Sequence, residues 1–214
     1  LMIRRPPRST LDRSSAASDV YKRQQAAYSI GYTQLFALIT WTSVGLMGAT
    51  SAVAGQNLGA GHPDRSERAA KVAAGMGLAV ASAVSLLFVL FPEPLFAVFA
   101  LRPFGADEGI AFELGSQLLG YLAVSGFFVT VALTYTGALQ GTGDTRSPLY
   151  ISIVSQLLLP IGFCTFFSLT RGLVATDIWL AIVLGHVTRA GLSVLRFRQG
   201  KWRDIVVDIG TAKV

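Results

Sequence analysis

The chain has 214 residues, 52% of them hydrophobic and only 14% charged, with a mean hydropathy of +0.53 and a formal net charge of +6. A soluble domain carries about 25% charged residues, so this composition excludes an ordinary water-facing surface and points to the bilayer core as solvent. The basic excess sits in the first 23 positions, between apolar runs and after Val194, which is the distribution of membrane-topology signals and not of a nucleic-acid stripe. The single cysteine, Cys164, lies in an apolar run. It can build neither a disulfide nor a metal framework within the chain, and is expected as a small core residue.

Residues 1–24, LMIRRPPRSTLDRSSAASDVYKRQ, are basic and rich in Ser and Pro. They lack both the apolar centre of a secretory signal and an amphipathic period. The string resembles translated sequencing-adapter read-through, which would place it outside the fold and leave the frame cut upstream of Gln25. The other reading is a genuine disordered basic tail.

Four stretches then carry no Lys, Arg, Asp or Glu: Gln24 to Pro63, Val72 to Pro92, Leu114 to Gly143 and Ser147 to Thr170. A helix rising ~1.5 Å per residue needs about 20 residues to cross a hydrocarbon core of ~30 Å. Open sheet edges are not tolerated there, because unpaired backbone groups find no water. The expected fold class is therefore all-α, a polytopic membrane bundle. Its helices are predicted over residues 30–55, 68–91, 113–139, 148–169 and 178–196, all within a unit covering 25–205, with a cytoplasmic tail at 206–214.

Lys and Arg accumulate on the cytoplasmic side of short connections. Arg65, Arg68 and Lys71 mark the first connection, Arg146 the third, and Arg196, Arg198, Lys201 and Arg203 the end of the fifth helix. The second, Pro92 to Phe112, sets Glu93, Asp107 and Glu108 against Arg102 and reads as the outer face. Five crossings with a cytoplasmic carboxy terminus start outside, which implies an upstream partner helix. Trp179 and Trp202 flank the fifth helix in the manner of interface anchors.

Two segments carry recognisable turns. Ala52 to Arg65 reads AVAGQNLGAGHPDR, and Gly137 to Pro148 reads GALQGTGDTRSP. In the first, Gly59 and Gly61 allow a sharp stop, Pro63 presets a turn and Asp64 can cap the next helix. In the second, Asp144 or Thr145 can cap a helix that tolerates Pro148 in its opening turn. Small residues at such spacing also let helices approach closely in lipid.

These segments resemble the multidrug and toxic compound extrusion (MATE) family, in which a run ending G-Q-x-L-G-A-G precedes a charged helix start and G-x-x-x-G-x-G-D-T-R closes the fourth helix of a six-helix lobe. The ending RFRQGKWR, Arg196 to Arg203, is similar too. The resemblance covers Gln25 to Trp202 and implies the carboxy-terminal lobe without its first helix. Gly55, Gln56, Gly59, Gly61 and Arg65 of the first segment, with Gly137, Gly141, Gly143, Asp144 and Arg146 of the second, become candidates for gating contacts between lobes. Well-made turns are the alternative. Some members place an acid two to three turns before the terminal Gly pair of this lobe's third-from-last helix. Here that region holds Val129 and its neighbours, which favours a coupling carboxylate in the missing amino-terminal lobe.

A polar lining remains. Gln117, Tyr121, Ser125, Thr136 and Gln140 follow one drifting face of the third helix; the first offers Gln34, Thr40 and Trp41, and the fourth Gln156 beside a kink at Pro160. Aromatic faces attract cations and amides orient polar groups, so Gln34, Trp41, Gln117, Tyr121, Gln140 and Gln156 are candidates for a substrate cavity. Interhelical hydrogen bonding competes, most strongly at Ser125 and Thr136. His186 and Arg189 share a face at i, i+3. His186 is a candidate proton relay, with a packing histidine as the alternative, while Arg189 is near enough to the cytoplasmic end to snorkel.

The resemblance implies a secondary active antiporter in the bacterial inner (plasma) membrane. It would export drugs, toxins or amphipathic organic cations in exchange for H⁺ or Na⁺, with the bilayer, a small-molecule substrate and the missing lobe as partners and no nucleic acid. A flippase for lipid-linked saccharides is the near alternative and would favour a more cationic cavity. A non-transport membrane assembly protein is the distant one. No paired acid, His cluster or nucleophile constellation is legible, so no enzyme activity, resident cofactor or metal is expected.

Overall fold

A computed structural model of the chain describes residue 25 and residues 29–100 and 109–205. The first 24 residues, the acids Asp107 and Glu108 and the segment 206–214 lie outside the described residues. A π-helical turn, Ile30–Leu35, leads into α1 (Phe36–Gly59); α2 (Pro63–Leu90) and a short α3 (Pro92–Ala100) follow, then α4 (Gly109–Gly141). The next crossing is composite: α5 (Arg146–Ser152), a π-helical segment Ile153–Leu158, and α6 (Leu159–Thr170). Finally α7 (Ala175–Arg198) runs into a 3₁₀ turn, Lys201–Asp204. The protein is an all-α polytopic membrane bundle, with five helical spans long and apolar enough to cross among the described residues.

Three differences from the expected elements have simple causes. The second helix starts at Pro63, five positions before Arg68, because proline is at home in a first turn, where its missing N–H is not needed. Asp64 does not cap that helix: His62 stands at the cap position without a side-chain bond. The connection expected from Pro92 to Phe112 begins with a helical turn of its own, α3, again opened by a proline.

The long α4 is the axis of the bundle, packed against α1, α2 and α7. In its most apolar window 61% of residues are buried, against 6% in the window of the composite α5–α6 crossing, which lies at the periphery. Cys164, on α6, is half-buried and not part of the core. The apolar core runs from Leu35, Phe36 and Ile39 through Leu118, Leu119 and Leu122 to Trp179. A second cluster, at the other end, gathers Ala54, Ala70, Ala138, Leu139, Phe197 and Trp202. Both tryptophans are thus internal, 7% and 1% exposed, and neither is a lipid-interface anchor. Trp179 packs on Tyr121 (centroids 5.5 Å apart) and Trp202 stacks on Phe197 (4.8 Å) while donating Nε1–H to its carbonyl at 2.8 Å.

The α1–α4 crossing depends on missing side chains. A Cβ added at Gly137 would collide with the Met47 carbonyl, and one at Gly141 with that of Ser51, while Gly55 faces the Gly141 carbonyl in return. Backbone is therefore packed on backbone. Small residues are what permit this in lipid, where apolar burial alone gives no driving force. Hydroxyls bridge nearby: Ser43 and Thr130 lie 2.8 Å apart between α1 and α4, Ser66 donates to the Ala54 carbonyl at 2.7 Å, and Ser85 to that of Ala123 at 3.0 Å. Ser125, expected in such a bridge, is buried with its Oγ unpartnered.

Substituting Gly141→Ala is expected to lower the thermal midpoint of the detergent-solubilised protein, because overpacking of this kind costs about 1–3 kcal/mol. The control is Gly45→Ala, where nothing lies within 4 Å of the new methyl. Equal midpoints for the two variants would contradict the crossing described.

Candidate functional site

Two turns at one end of the bundle carry the sequence motifs. At Gly61 (φ +78°) and Gly143 (φ +92°) the chain takes the left-handed conformation that a side chain resists. Asp144 follows immediately. Its Oδ1 accepts the Ser147 N–H at 3.1 Å and its Oδ2 the Ser147 hydroxyl at 2.8 Å, so it is Asp144 and not Thr145 that ties down the opening of α5. The same carboxylate receives Arg196 from the end of α7, Nε at 2.8 Å and Nη2 at 2.7 Å. Burial of Asp144 opposes its ionisation, but the bonds from Ser147 and Arg196 outweigh that and hold its carboxyl below the usual range.

A second clamp lies beside it. Arg203, after the turn at Gly200, reaches Glu67 at 2.6 Å and Asp64 at 3.5 Å on α2. Two members of the carboxy-terminal basic cluster, Arg196 and Arg203, are thus ties from the end of α7 to the α4–α5 turn and to α2. Arg65 and Arg146 are exposed at this same end, as is Gln56, while Gly59 closes α1 with open space around it. At the opposite end Arg171 holds Asp177 at 2.5 Å. Asp177 is therefore a buried, paired group at the start of α7.

Three openings among the described residues bear on the expected cavity. A cleft of about 500 Å³ is walled by Tyr32, Phe36 and Trp41 from the first crossing, Gln156 from the π-helical segment, and His186 and Arg189 from α7. Pro160 explains the placement of Gln156. Lacking an N–H, it cannot complete the helical ladder, and the turn before it widens, Leu159 donating to the Val154 carbonyl. Across this crossing Gly185 admits the Ser155 carbonyl, which brings α7 close. A second cleft of about 600 Å³ contains Thr136, Gln140, Thr145 and Arg146, and shares Leu133 and Arg189 with the first. A third opening of about 390 Å³, toward the start of α4, holds Gln117 and Tyr121 among apolar neighbours.

The six residues expected to line one cavity are therefore distributed. Trp41 and Gln156 meet in the first cleft, Gln140 stands in the adjoining one, Gln117 and Tyr121 lie apart, and Gln34 is exposed and lines none of the three. Arg189 is half-buried: its Nε is enclosed without a partner, and its side chain lines both adjoining clefts, one of which contains Thr145 and Arg146 of the basic end. His186 is 6% exposed and stacked near Phe36 at 6.0 Å, and its Nδ1 is unpartnered. The i, i+3 spacing of the two was visible in the sequence. Their inward direction was not.

Residues 16–166 match the model of the MatE family, most of the chain. The chain belongs to the MatE family. Both turn segments lie within the match, whereas α7 lies beyond it. MatE relatives include a Probable multidrug resistance protein NorM of Deinococcus radiodurans, 30% identical over 155 residues that cover 71% of this chain and 33% of that protein. The protein of the same name from Bradyrhizobium diazoefficiens is 31% identical over 177 residues, 81% and 36% of the two chains. Multidrug resistance protein MdtK of Pectobacterium atrosepticum is 29% identical over 160 residues, 73% and 33%. The chain thus spans about a third of the length of these curated relatives.

Replacing Asp144 with Asn is expected to destabilise the protein by about 1.5–3 kcal/mol, the range for hydrogen bonds to a charged group. Because the folded-state pKa is depressed, this contribution is complete above the ordinary carboxylate value of about 3.9 and fades as pH falls through the folded value. Thermal melts in detergent from pH 7 to pH 3 should show wild type and variant converging at the acid end. A gap that stays constant with pH would exclude the ionised clamp.

Proposed function

We propose that this chain forms part of a secondary active antiporter that exports drugs, toxins or other amphipathic organic molecules, amphipathic cations among them, in exchange for H⁺ or Na⁺. The observation that carries the reading is the open aromatic and polar cleft of about 500 Å³ beside a five-span bundle of the MatE family. Apolar walls with a few convergent polar groups suit small amphipathic molecules. The multidrug resistance names of the relatives support export.

No carboxylate lines the cleft among the described residues. The coupling acid is accordingly assigned to the amino-terminal lobe that completes the transporter, with the two lobes rocking around a shared cavity. The membrane is the bacterial inner membrane, with the carboxy terminus cytoplasmic. Supporting that orientation, Arg65, Arg68, Lys71, Arg146, Arg196, Arg198, Lys201 and Arg203 all belong to the same end of the bundle.

The test is ethidium efflux from cells expressing the complete gene product, with an imposed H⁺ or Na⁺ gradient and without one. Faster efflux under one of the two gradients is the expected result, and the effective ion names the coupling. Identical efflux in expressing and empty cells across a broad panel of dyes would refute drug export.

A further inference from the structure

The cleft between the first crossing, the π-helical segment and α7 contains a charge without a counter-charge. Most charged groups of the interhelical network are paired: Asp144 with Arg196, Asp177 with Arg171, Glu67 with Lys71 and Arg203. Arg189 makes no ion pair among the described residues, its Nε is buried and unbonded, and it is the one cation lining this cleft. One turn earlier on the same face is His186, 6% exposed, its Nδ1 likewise without a partner. Both side chains line one open, largely apolar cleft, and a guanidinium there without a counter-charge favours an anionic partner, because an unbonded donor is costly away from water.

The acceptor's chemistry can be read from what surrounds these atoms. A guanidinium presents its donors in a planar fork that matches a carboxylate bidentately. A single guanidinium beside a histidine balances one negative charge, whereas a phosphoryl group would call for further cations. Trp41, Tyr32 and Phe36 supply aromatic walls, and the Gln156 amide stands on the same cleft. We infer that this cleft is a subsite for the carboxylate of an aromatic organic acid, held by the guanidinium of Arg189 beside His186, the ring lying against Trp41 and Phe36. The inference rests on the export reading, since the acid is taken to be part of the transported molecule, and it extends that reading from cations to substrates with an acidic end.

Three probes of one shape separate the contributions: radiolabelled 1-naphthoate, its neutral amide 1-naphthamide, and the cation 1-naphthylmethylammonium. Equilibrium binding to the detergent-purified complete gene product should favour naphthoate over naphthamide by about ten- to a hundredfold, as expected for a charge-assisted contact. Arg189→Gln should abolish that preference while naphthamide still binds, which also reports that the variant is folded. Arg189→Lys should retain part of the preference, keeping charge but losing the fork.

Equal binding of naphthoate and naphthamide by the wild type would overturn the inference, and so would an Arg189→Gln variant that keeps the preference. Equal binding is also the result if a carboxylate of the transporter itself already occupies the fork. The two readings fail separately. Gradient-driven ethidium efflux without naphthoate preference leaves export standing and removes the subsite. Naphthoate preference without any efflux does the reverse.

Discussion

Backbone lies against backbone where α1 crosses α4, and the remainder of the bundle is arranged around that contact. At Gly137 and Gly141 a single added carbon would meet the carbonyl groups of Met47 and Ser51. Lipid offers no gain for burying one apolar side chain against another, so close approach, dispersion and hydroxyl bridges must hold the helices together. With α1 seated so tightly, the Ser43–Thr130 pair falls into place one step along the same interface. The core from Leu35 to Trp179 can then be filled by ordinary aliphatic packing.

The helix ends are secured by different means. At one end the carboxylate of Asp144 gathers the α4–α5 turn and the end of α7, while Arg203 ties the final turn to α2. At the other, Asp177 is bound by Arg171 and accepts the Val174 N–H at 3.2 Å. Charges cluster where water is available, so the ion pairs need not bear the full cost of burial that they would meet at mid-bilayer. The charge pattern that announced membrane topology is thus also the mechanical fastening of the bundle.

Between these fastenings the packing leaves a cleft. The proline at position 160 widens the turn before it, Gly185 lets α7 approach that turn, and the aromatic residues of the first crossing close a third side. The result is a cleft whose polarity is set by Arg189, His186 and Gln156 rather than by an acid. On the export reading proposed above, the coupling carboxylate and the guanidinium of Arg189 would belong to different parts of the transporter. Substrate recognition and ion coupling would then be physically separated, joined only through the motion of the lobes.

From the residues alone the class of fold could be read, because a deficit of charge and four long uncharged stretches leave the chain no stable surface in water. The turns were also legible, since Gly61 and Gly143 precede helices opened by Pro63 and Arg146 and both adopt positive φ. A cap at Asp144 or Thr145 was legible too, and the structure decided for Asp144. Which glycine faces which carbonyl was not legible, and neither was the pairing of Arg196 with Asp144, the burial of Trp179 and Trp202, or the inward direction of Arg189. The reason is physical: helical period assigns residues to a face, whereas the rotation of each helix about its axis is decided by its neighbours. Gln117 and Gln140 stand near opposite ends of one helix, α4, and are separated by its rise of ~1.5 Å per residue, whereas the exposure of Gln34 outside both of their openings was decided by packing.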